Sequence, residues 1–195
     1  MDNKTFEFYS TRGAEWAEHL RNGWRPQLDS FLDRLATGAR ILELGCGDGR
    51  DAARMIERGF NVHPTDGVPE MARMASERLG REVDVLPFDR LEAQEAYDAV
   101  WAHASLLHVE QAELPGILKR VHRALRPGGW HFANYKGGTG GHRDKFGRYY
   151  NYMSEAGLRD AYEAAATWSS FEIEASEGGG FDGVRLTWLA VTVRR

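Results

Sequence analysis

The chain has 195 residues, 42% of them hydrophobic and 28% charged, with a formal net charge of −4. This length is typical of one domain, here taken as 1–195, and the composition excludes collagen-like and disordered chains. The mild acidity argues against nucleic acid as a partner, and the single cysteine, Cys46, excludes an internal disulfide.

Targeting and membrane signals are missing from the sequence. The first ten residues, MDNKTFEFYS, contain no apolar run of the kind found in signal peptides. No stretch approaches the 18 or more apolar residues of a membrane span. We therefore expect a cytoplasmic protein with no membrane partner.

Short apolar strands alternate with amphipathic helices along most of the chain, which is typical of βαβ units. This alternation predicts an α/β fold: a doubly wound, seven-stranded, mostly parallel Rossmann-like sheet with an antiparallel C-terminal edge hairpin. An N-terminal helical region is predicted over 1–36, with its helix over 13–35 capped by Ser10 or Thr11. In chain order the predicted elements are strand 39–44, helix 50–59, strand 60–65, helix 68–80, strand 82–87, strand 97–104, helix 114–126, strand 130–136, helix 154–166, and strands 167–176 and 183–195.

Glycine is the unusual component, since 22 residues exceed the usual share of about 7%. Three of these glycines lie in GCGDG, which covers 45–49 between the first predicted strand and its helix. In an open parallel sheet, ligands bind beyond the carboxyl ends of the strands, where this cluster falls. A P-loop is excluded because the chain has no GK[ST], and a dinucleotide fingerprint is disfavoured because Arg50 occupies the third glycine position.

The segment LELGCGDGR resembles the first motif of the class I S-adenosylmethionine-dependent methyltransferases. VHPTDGVPEM, DVLPFDRL, YDAVWAHASLLHV and LKRVHRALRPGGWHFANYK resemble the segments that follow it in that family, in the same order. The similarity is closest to small methyltransferases of the tellurite-resistance and small-metabolite kind. It implies the methyltransferase sheet, S-adenosylmethionine as cofactor, S-adenosylhomocysteine as product and a small-molecule methyl acceptor.

The resemblance assigns a cofactor role to residues at the ends of four strands. Asp66 would accept hydrogen bonds from the ribose hydroxyls, although a carboxylate there could also cap the next helix. Asp89 would meet the adenine amino group, and Glu43 would lie near the methionine end. The full predicted cofactor set is Glu43, Gly45, Cys46, Gly47, Gly49, Asp66, Gly67, Val68, Asp89, Ala102 and His103.

Catalytic and acceptor-binding residues are less determined by the motifs. His103 and His108 are candidate catalytic residues, because a histidine near the fourth strand could shape the site or act as a base. The N-terminal region and the segment 137–153, predicted as a lid loop, are expected to cover the site. Their candidate acceptor contacts are Tyr9, Arg12, Trp16, Arg148, Tyr149 and Tyr150.

Metal binding is not expected, since no histidine has a cysteine or carboxylate partner at metal-ligand spacing. Nucleobase amino-methyltransferases are disfavoured, because no [DN]-P-P-[YF] follows the fourth strand. Two other functions stay open: a nucleic-acid or protein methyltransferase that needs a partner, and a non-catalytic S-adenosylmethionine-binding module. The acceptor, the methylated atom and the oligomeric state are left open as well.

Overall fold

The computed structural model describes residues 1–19 and 26–195, which fold into one twisted sheet with helices on both faces. The helices are α1 (Asn3–His19), α2 (Pro26–Leu32), α3 (Arg50–Glu57), α4 (Pro69–Leu79), α5 (Leu114–Ala124) and α6 (Glu155–Ala165). The strands are β1 (Arg40–Leu44), β2 (Asn61–Asp66), β3 (Asp84–Val85), β4 (Tyr97–Ala102), β5 (Leu125–Gly137), β6 (Gly140–Arg143), β7 (Tyr149–Met153), β8 (Ser170–Gly179) and β9 (Arg185–Arg194).

The strand order confirms the predicted α/β architecture. Strands β3, β2, β1, β4 and β5 are neighbours in that order and run parallel. Next to β5 comes β9, which is antiparallel to it, and β8 then pairs with β9 as the C-terminal hairpin. β1 and β4 are central because their apolar runs can be buried on both faces of the sheet.

The segment 137–153 is not the loop that its composition predicts. It contains a β-hairpin of β6 and β7, and β7 adds to the end of β5 through the pairs Lys136–Tyr152 and Gly137–Met153. Within residues 1–19 and 26–195 the sheet therefore has nine strands, the seven predicted ones and these two. Local composition missed the hairpin because its partner is the far end of β5, a contact made only in the tertiary fold.

Both described helices of the N-terminal region fit the predicted helical character, but the first one starts earlier than predicted. α1 begins ten residues before the expected helix, because Asp2 accepts hydrogen bonds from the Lys4 amide (3.1 Å) and the Thr5 hydroxyl (2.6 Å) at its start. Ser10 and Thr11, the expected caps, therefore lie inside α1. α2 is described from Pro26 to Leu32. The part of the predicted helix over 20–25 lies outside the described residues.

The apolar core fills both faces of the sheet. α5 and α6 cover one face, and α2 and α3 cover the other, where Trp101 packs between Phe31 and Phe132. α1 does not add to these layers; it packs on α4, so closely that a Cβ on Gly13 would lie 2.5 Å from the sulfur of Met71. α1 thus lies near the loops that leave the carboxyl ends of the strands. Across the described ranges, no helix has the length and apolar character needed to cross a membrane.

Candidate active site

The glycine loop after β1 takes a backbone conformation that favours glycine. Gly45, Gly47 and Gly49 have φ values of +77°, +59° and +79°, in the left-handed region. A Cβ on Gly45 would lie 2.5 Å from the Ser105 side chain, and one on Gly49 would lie 3.1 Å from Ala75 of α4. The three glycines therefore combine a tight turn with close packing against neighbouring elements.

Asp66, the last residue of β2, is the acidic side chain that contacts this loop. Its two carboxylate oxygens accept hydrogen bonds from the backbone amides of Gly47 and Val68, both at 2.9 Å. Burial raises the pKa of Asp66 to about 6, and the two amide hydrogen bonds work against this rise. Each oxygen has a second lone pair, so the carboxylate can still accept hydrogen bonds from a ligand.

A cavity opens at the carboxyl edge of the sheet and continues along α5, with a total volume of about 1350 Å³. Gly49 and Ala102 are the predicted cofactor residues outside its lining, because Gly49 faces α4 and Ala102 is fully buried. Asp89 lies on a short 3-10 turn after β3 with its side chain exposed. The predicted cofactor residues that line the cavity are Glu43, Gly45, Cys46, Gly47, Asp66, Gly67, Val68, Asp89 and His103.

α1 covers the glycine loop. The Trp16 ring approaches Gly47 so closely that a Cβ there would lie 3.1 Å from it. The Arg50 side chain donates a hydrogen bond to the Ala17 carbonyl (3.3 Å), which ties the helix to the start of α3. Gly47 therefore makes room for the covering helix.

Tyr9 and His108 form a hydrogen-bonded pair at the cavity wall. Nδ1 of His108 lies 2.6 Å from the Tyr149 carbonyl oxygen, which can only accept, so Nδ1 carries the proton. Burial lowers the pKa of His108 to about 3, which keeps the ring neutral. Nε2 then accepts from the Tyr9 hydroxyl at 3.0 Å. In this hydrogen bond Tyr9 is therefore the donor and His108 the acceptor.

Arg148 connects this pair to the β6–β7 hairpin. Its guanidinium donates two hydrogen bonds to one Asp144 oxygen (2.9 and 2.7 Å) and a third to the Tyr9 hydroxyl (3.2 Å). Both charged side chains are almost fully buried. The Tyr149 amide also donates to Thr5 of α1 at 2.8 Å. These contacts fasten α1 to the hairpin across the site.

The predicted acceptor residues are only partly brought together. Tyr9, Trp16, Arg148 and Tyr150 line the cavity. Arg12 lies outside the lining, on the exposed side of α1, where it pairs with Glu15 at 2.8 Å. Tyr149 also lies outside it and contributes its main chain to the contacts described above.

The two candidate histidines differ in their surroundings. His103 lines the cavity with its ring stacked on Trp101 at 5.8 Å between centroids. His108 has both ring nitrogens engaged and a low pKa. The arrangement therefore makes His108 a residue that positions Tyr9, and a poor direct base at neutral pH.

Other residues of the cavity were not singled out from the sequence. Lys136 lies at the carboxyl end of β5 and is 1% exposed, with Phe181 and Trp188 nearby in the cavity lining. A lysine that ends a buried strand is the signal that would have pointed to this position. Among the described ranges, no group of three metal-ligating side chains is found, and the absence of a metal stays a prediction.

The family model described as a methyltransferase domain matches residues 41–129, which contain the glycine loop, Asp66 and the strands β1 to β4. Residues 41–129 are therefore similar to methyltransferase domains. The ubiquinone biosynthesis O-methyltransferase of Methylocella silvestris is 32% identical over 123 residues, covering 60% of this chain and 47% of that protein. The chain spans about half the length of the curated relatives it matches.

Solved structures of methyltransferases share the fold of this chain well beyond residues 41–129. The 1,6-didemethyltoxoflavin-N1-methyltransferase of Burkholderia thailandensis, solved with 1,6-didemethyltoxoflavin and S-adenosylhomocysteine, superposes with a TM-score of 0.76 at 23% identity, covering 98% of this chain and 87% of that one. A phosphoethanolamine N-methyltransferase of Haemonchus contortus superposes with a TM-score of 0.78 at 16% identity, covering 100% and 60%. At these identities the superpositions establish the fold alone.

Proposed function

We propose that this protein transfers the methyl group of S-adenosylmethionine to a small-molecule acceptor. The observation that carries the proposal is the Asp66 carboxylate, held by the amides of Gly47 and Val68 at the edge of a cavity lined by the glycine loop. The names of the relatives support it, since the curated and structural relatives above are methyltransferases of small molecules.

The residues present fit the nucleoside part of this cofactor. Asp66 keeps one free lone pair on each oxygen for the ribose hydroxyls. Gly67 and Val68 follow it at the start of α4, and Asp89 lies on the same side of the cavity, where it would meet the adenine amino group. Glu43, buried at the end of β1, would face the methionine part.

The protein contributes position and electrostatics to the reaction. When bound, S-adenosylmethionine supplies a methyl group on a sulfonium sulfur, and the electron pair of the methyl–sulfur bond leaves with that sulfur. Tyr9 lines the cavity with its proton held by His108, so its oxygen orients the acceptor by accepting a hydrogen bond. α1 and the β6–β7 hairpin, fastened by Arg148, exclude water from this reaction space.

Tyr9 and His108 are poorly suited to remove a proton from the acceptor. A proton passed from an acceptor to Tyr9 would push the tyrosine proton onto His108, whose pKa is about 3. Such a transfer is unfavourable at neutral pH. The site therefore suits acceptors that are already nucleophilic, such as groups that ionise readily by themselves.

Cofactor binding by the Asp66→Ala variant tests the proposal. Loss of a hydrogen bond to a charged group costs about 1.5–3 kcal/mol, which is roughly a tenfold to hundredfold rise in the Kd for S-adenosylhomocysteine. Isothermal titration calorimetry measures this change, with Asp84→Ala at an exposed position on β3 as the matched control. Unchanged affinity in Asp66→Ala would remove Asp66 from the site.

Turnover is tested separately by S-adenosylhomocysteine formation with a panel of small acceptors. Wild-type protein that binds the cofactor and methylates none of them would favour the binding-module alternative. Methylation of RNA or protein in place of small molecules would favour the other alternative.

A further inference from the structure

The Lys136 side chain is the cation of the cavity that the proposed methyl transfer leaves unexplained. It is 1% exposed, and its ammonium donates a single hydrogen bond, to Asp182 at 3.5 Å. The Tyr150 ring centroid lies 3.6 Å from the same nitrogen. An ammonium has three donors, so one of its N–H groups has no acceptor among the residues that the structure describes.

Arg148, the other buried cation that lines the cavity, is held more closely by its carboxylate partner, at 2.7 and 2.9 Å. Its guanidinium is engaged by Asp144 and the Tyr9 hydroxyl, and five aromatic rings surround it, the nearest being Phe8 at 4.6 Å. A buried charge with unfilled hydrogen-bonding capacity is costly. Lys136, whose one carboxylate contact is 3.5 Å long, has the weaker ion pair of the two and is the cation that can more easily turn a donor toward a ligand.

Gly180 lies beside the Lys136 ammonium and places no side chain against it. A Cβ on Gly180 would lie 2.9 Å from Asp182 and 3.6 Å from the Lys136 nitrogen. Asp182 is held in place separately, because its other oxygen accepts a hydrogen bond from the Val184 amide at 3.1 Å. The aspartate thus does not need Lys136 for its position, and the lysine can redirect its donors.

Aromatic rings border this space. Lys136 is paired in register with Trp188 of β9 and Tyr152 of β7. Tyr150, Phe181 and Trp188 all line the same cavity as Lys136. Flat apolar walls around a buried cation suit a planar ligand with a negative group at one edge.

We propose that Lys136 anchors the methyl acceptor, and that this acceptor is a planar aromatic molecule carrying a carboxylate or an equally acidic group. This inference rests on the proposed methyl transfer and agrees with the weak proton acceptor at Tyr9 and His108. The acidic group ionises in water without a protein base, and the Lys136 ammonium lowers the free energy of its anionic form.

Binding of a matched pair of probes tests the assignment. 2-Naphthoate and 2-naphthamide share shape and aromatic surface and differ in charge. Each is titrated by calorimetry into protein saturated with S-adenosylhomocysteine. We expect wild type to bind naphthoate about tenfold more tightly, Lys136→Met to lose this preference, and Asp182→Asn to increase it severalfold because the competing carboxylate is removed.

The outcomes separate a binding role from a structural one. Equal binding of the two probes, no saturable naphthoate binding to wild type, or a preference that survives in Lys136→Met would overturn the proposal. Should Lys136→Met fail to fold, Asp182→Asn decides, since a purely structural pair predicts no gain in naphthoate affinity. Failure of the proposed function itself is seen earlier in the same experiment, as absence of S-adenosylhomocysteine binding to wild type.

Discussion

Two histidines of this protein make the same kind of hydrogen bonds in two different places. His131 contacts a main-chain carbonyl through Nδ1 and Tyr162 through Nε2, while His108 contacts a carbonyl through Nδ1 and Tyr9 through Nε2. Burial lowers the pKa of both, to about 4 for His131 and about 3 for His108. Both rings are therefore neutral at physiological pH, with the same nitrogen protonated.

The difference lies in what the tyrosine contacts next. The Tyr162 hydroxyl is also hydrogen-bonded to the Tyr135 hydroxyl at 3.2 Å. The side chains of His131, Tyr135 and Tyr162 are all fully buried, between the sheet and α6. Tyr9 belongs to α1, lines the cavity and accepts from Arg148 of the hairpin. The same local chemistry thus stabilises the core in one place and, on our proposal, orients the acceptor in the other.

The largest effect is expected for Tyr162→Phe in the core group. Removing this hydroxyl leaves Nε2 of His131 and the Tyr135 hydroxyl without a partner in the interior. The free energy of unfolding should fall by about 1–3 kcal/mol, measured by urea denaturation. Cofactor affinity under native conditions should stay at the wild-type value, and a selective loss of binding would contradict the structural role.

Tyr9→Phe is the matched change in the cavity group. The hydrogen bond to His108 lies at the wall of the site, so we expect a fall of about tenfold in kcat/KM. The free energy of unfolding should fall by less than it does in Tyr162→Phe, because Tyr9 is only half-buried. The measurement is S-adenosylhomocysteine formation with an acceptor that wild type methylates.

Two results together would contradict the distinction between the two groups: an equal loss of unfolding free energy in Tyr9→Phe and Tyr162→Phe, and unchanged turnover in Tyr9→Phe. His108→Gln sharpens it further. An amide there can still accept from Tyr9, so partial recovery relative to His108→Ala is expected for a positioning residue and not for a proton acceptor.

The smallest effect is a pH dependence that belongs to Asp66 and to neither histidine. The pKa of Asp66 is raised to about 6 by burial, so its carboxylate is lost as the pH falls through that value. S-adenosylhomocysteine affinity should therefore drop roughly threefold to fourfold at pH 5.5. Calorimetry from pH 5.5 to 7.5 checks this, and Asp66→Asn should remove the dependence.

Stability should respond to pH in the opposite sense for the two kinds of group. In the unfolded chain histidines take up a proton near pH 6.5, whereas in the folded protein His108 and His131 stay neutral to a lower pH. Their contribution to stability is therefore lost as the pH falls from about 6.5 toward 4. Asp66, with a raised pKa, contributes stability at acid pH that is lost as the pH rises through about 6. Urea denaturation across this range in wild type and Asp66→Asn separates the two contributions.

Much of the fold was predictable because its signals are local. The apolar runs of β1 and β4 and the glycine turn between β1 and α3 depend on residues that are close together along the chain. The hairpin of β6 and β7 was not predictable in this way, since its strands are stabilised by pairing with the end of β5.

By itself, the sequence determined the α/β class, the alternation of strands and helices, and the glycine loop with Asp66. Hydrophobic periodicity and left-handed turns depend on residues that are close together along the chain. Tertiary structure alone decided which side chains meet at the cavity. It brought Tyr9 to His108 across 99 positions and placed Lys136 beside Asp182 across 46. These contacts depend on how α1 and the hairpins pack over the carboxyl edge of the sheet, and no local pattern records that packing.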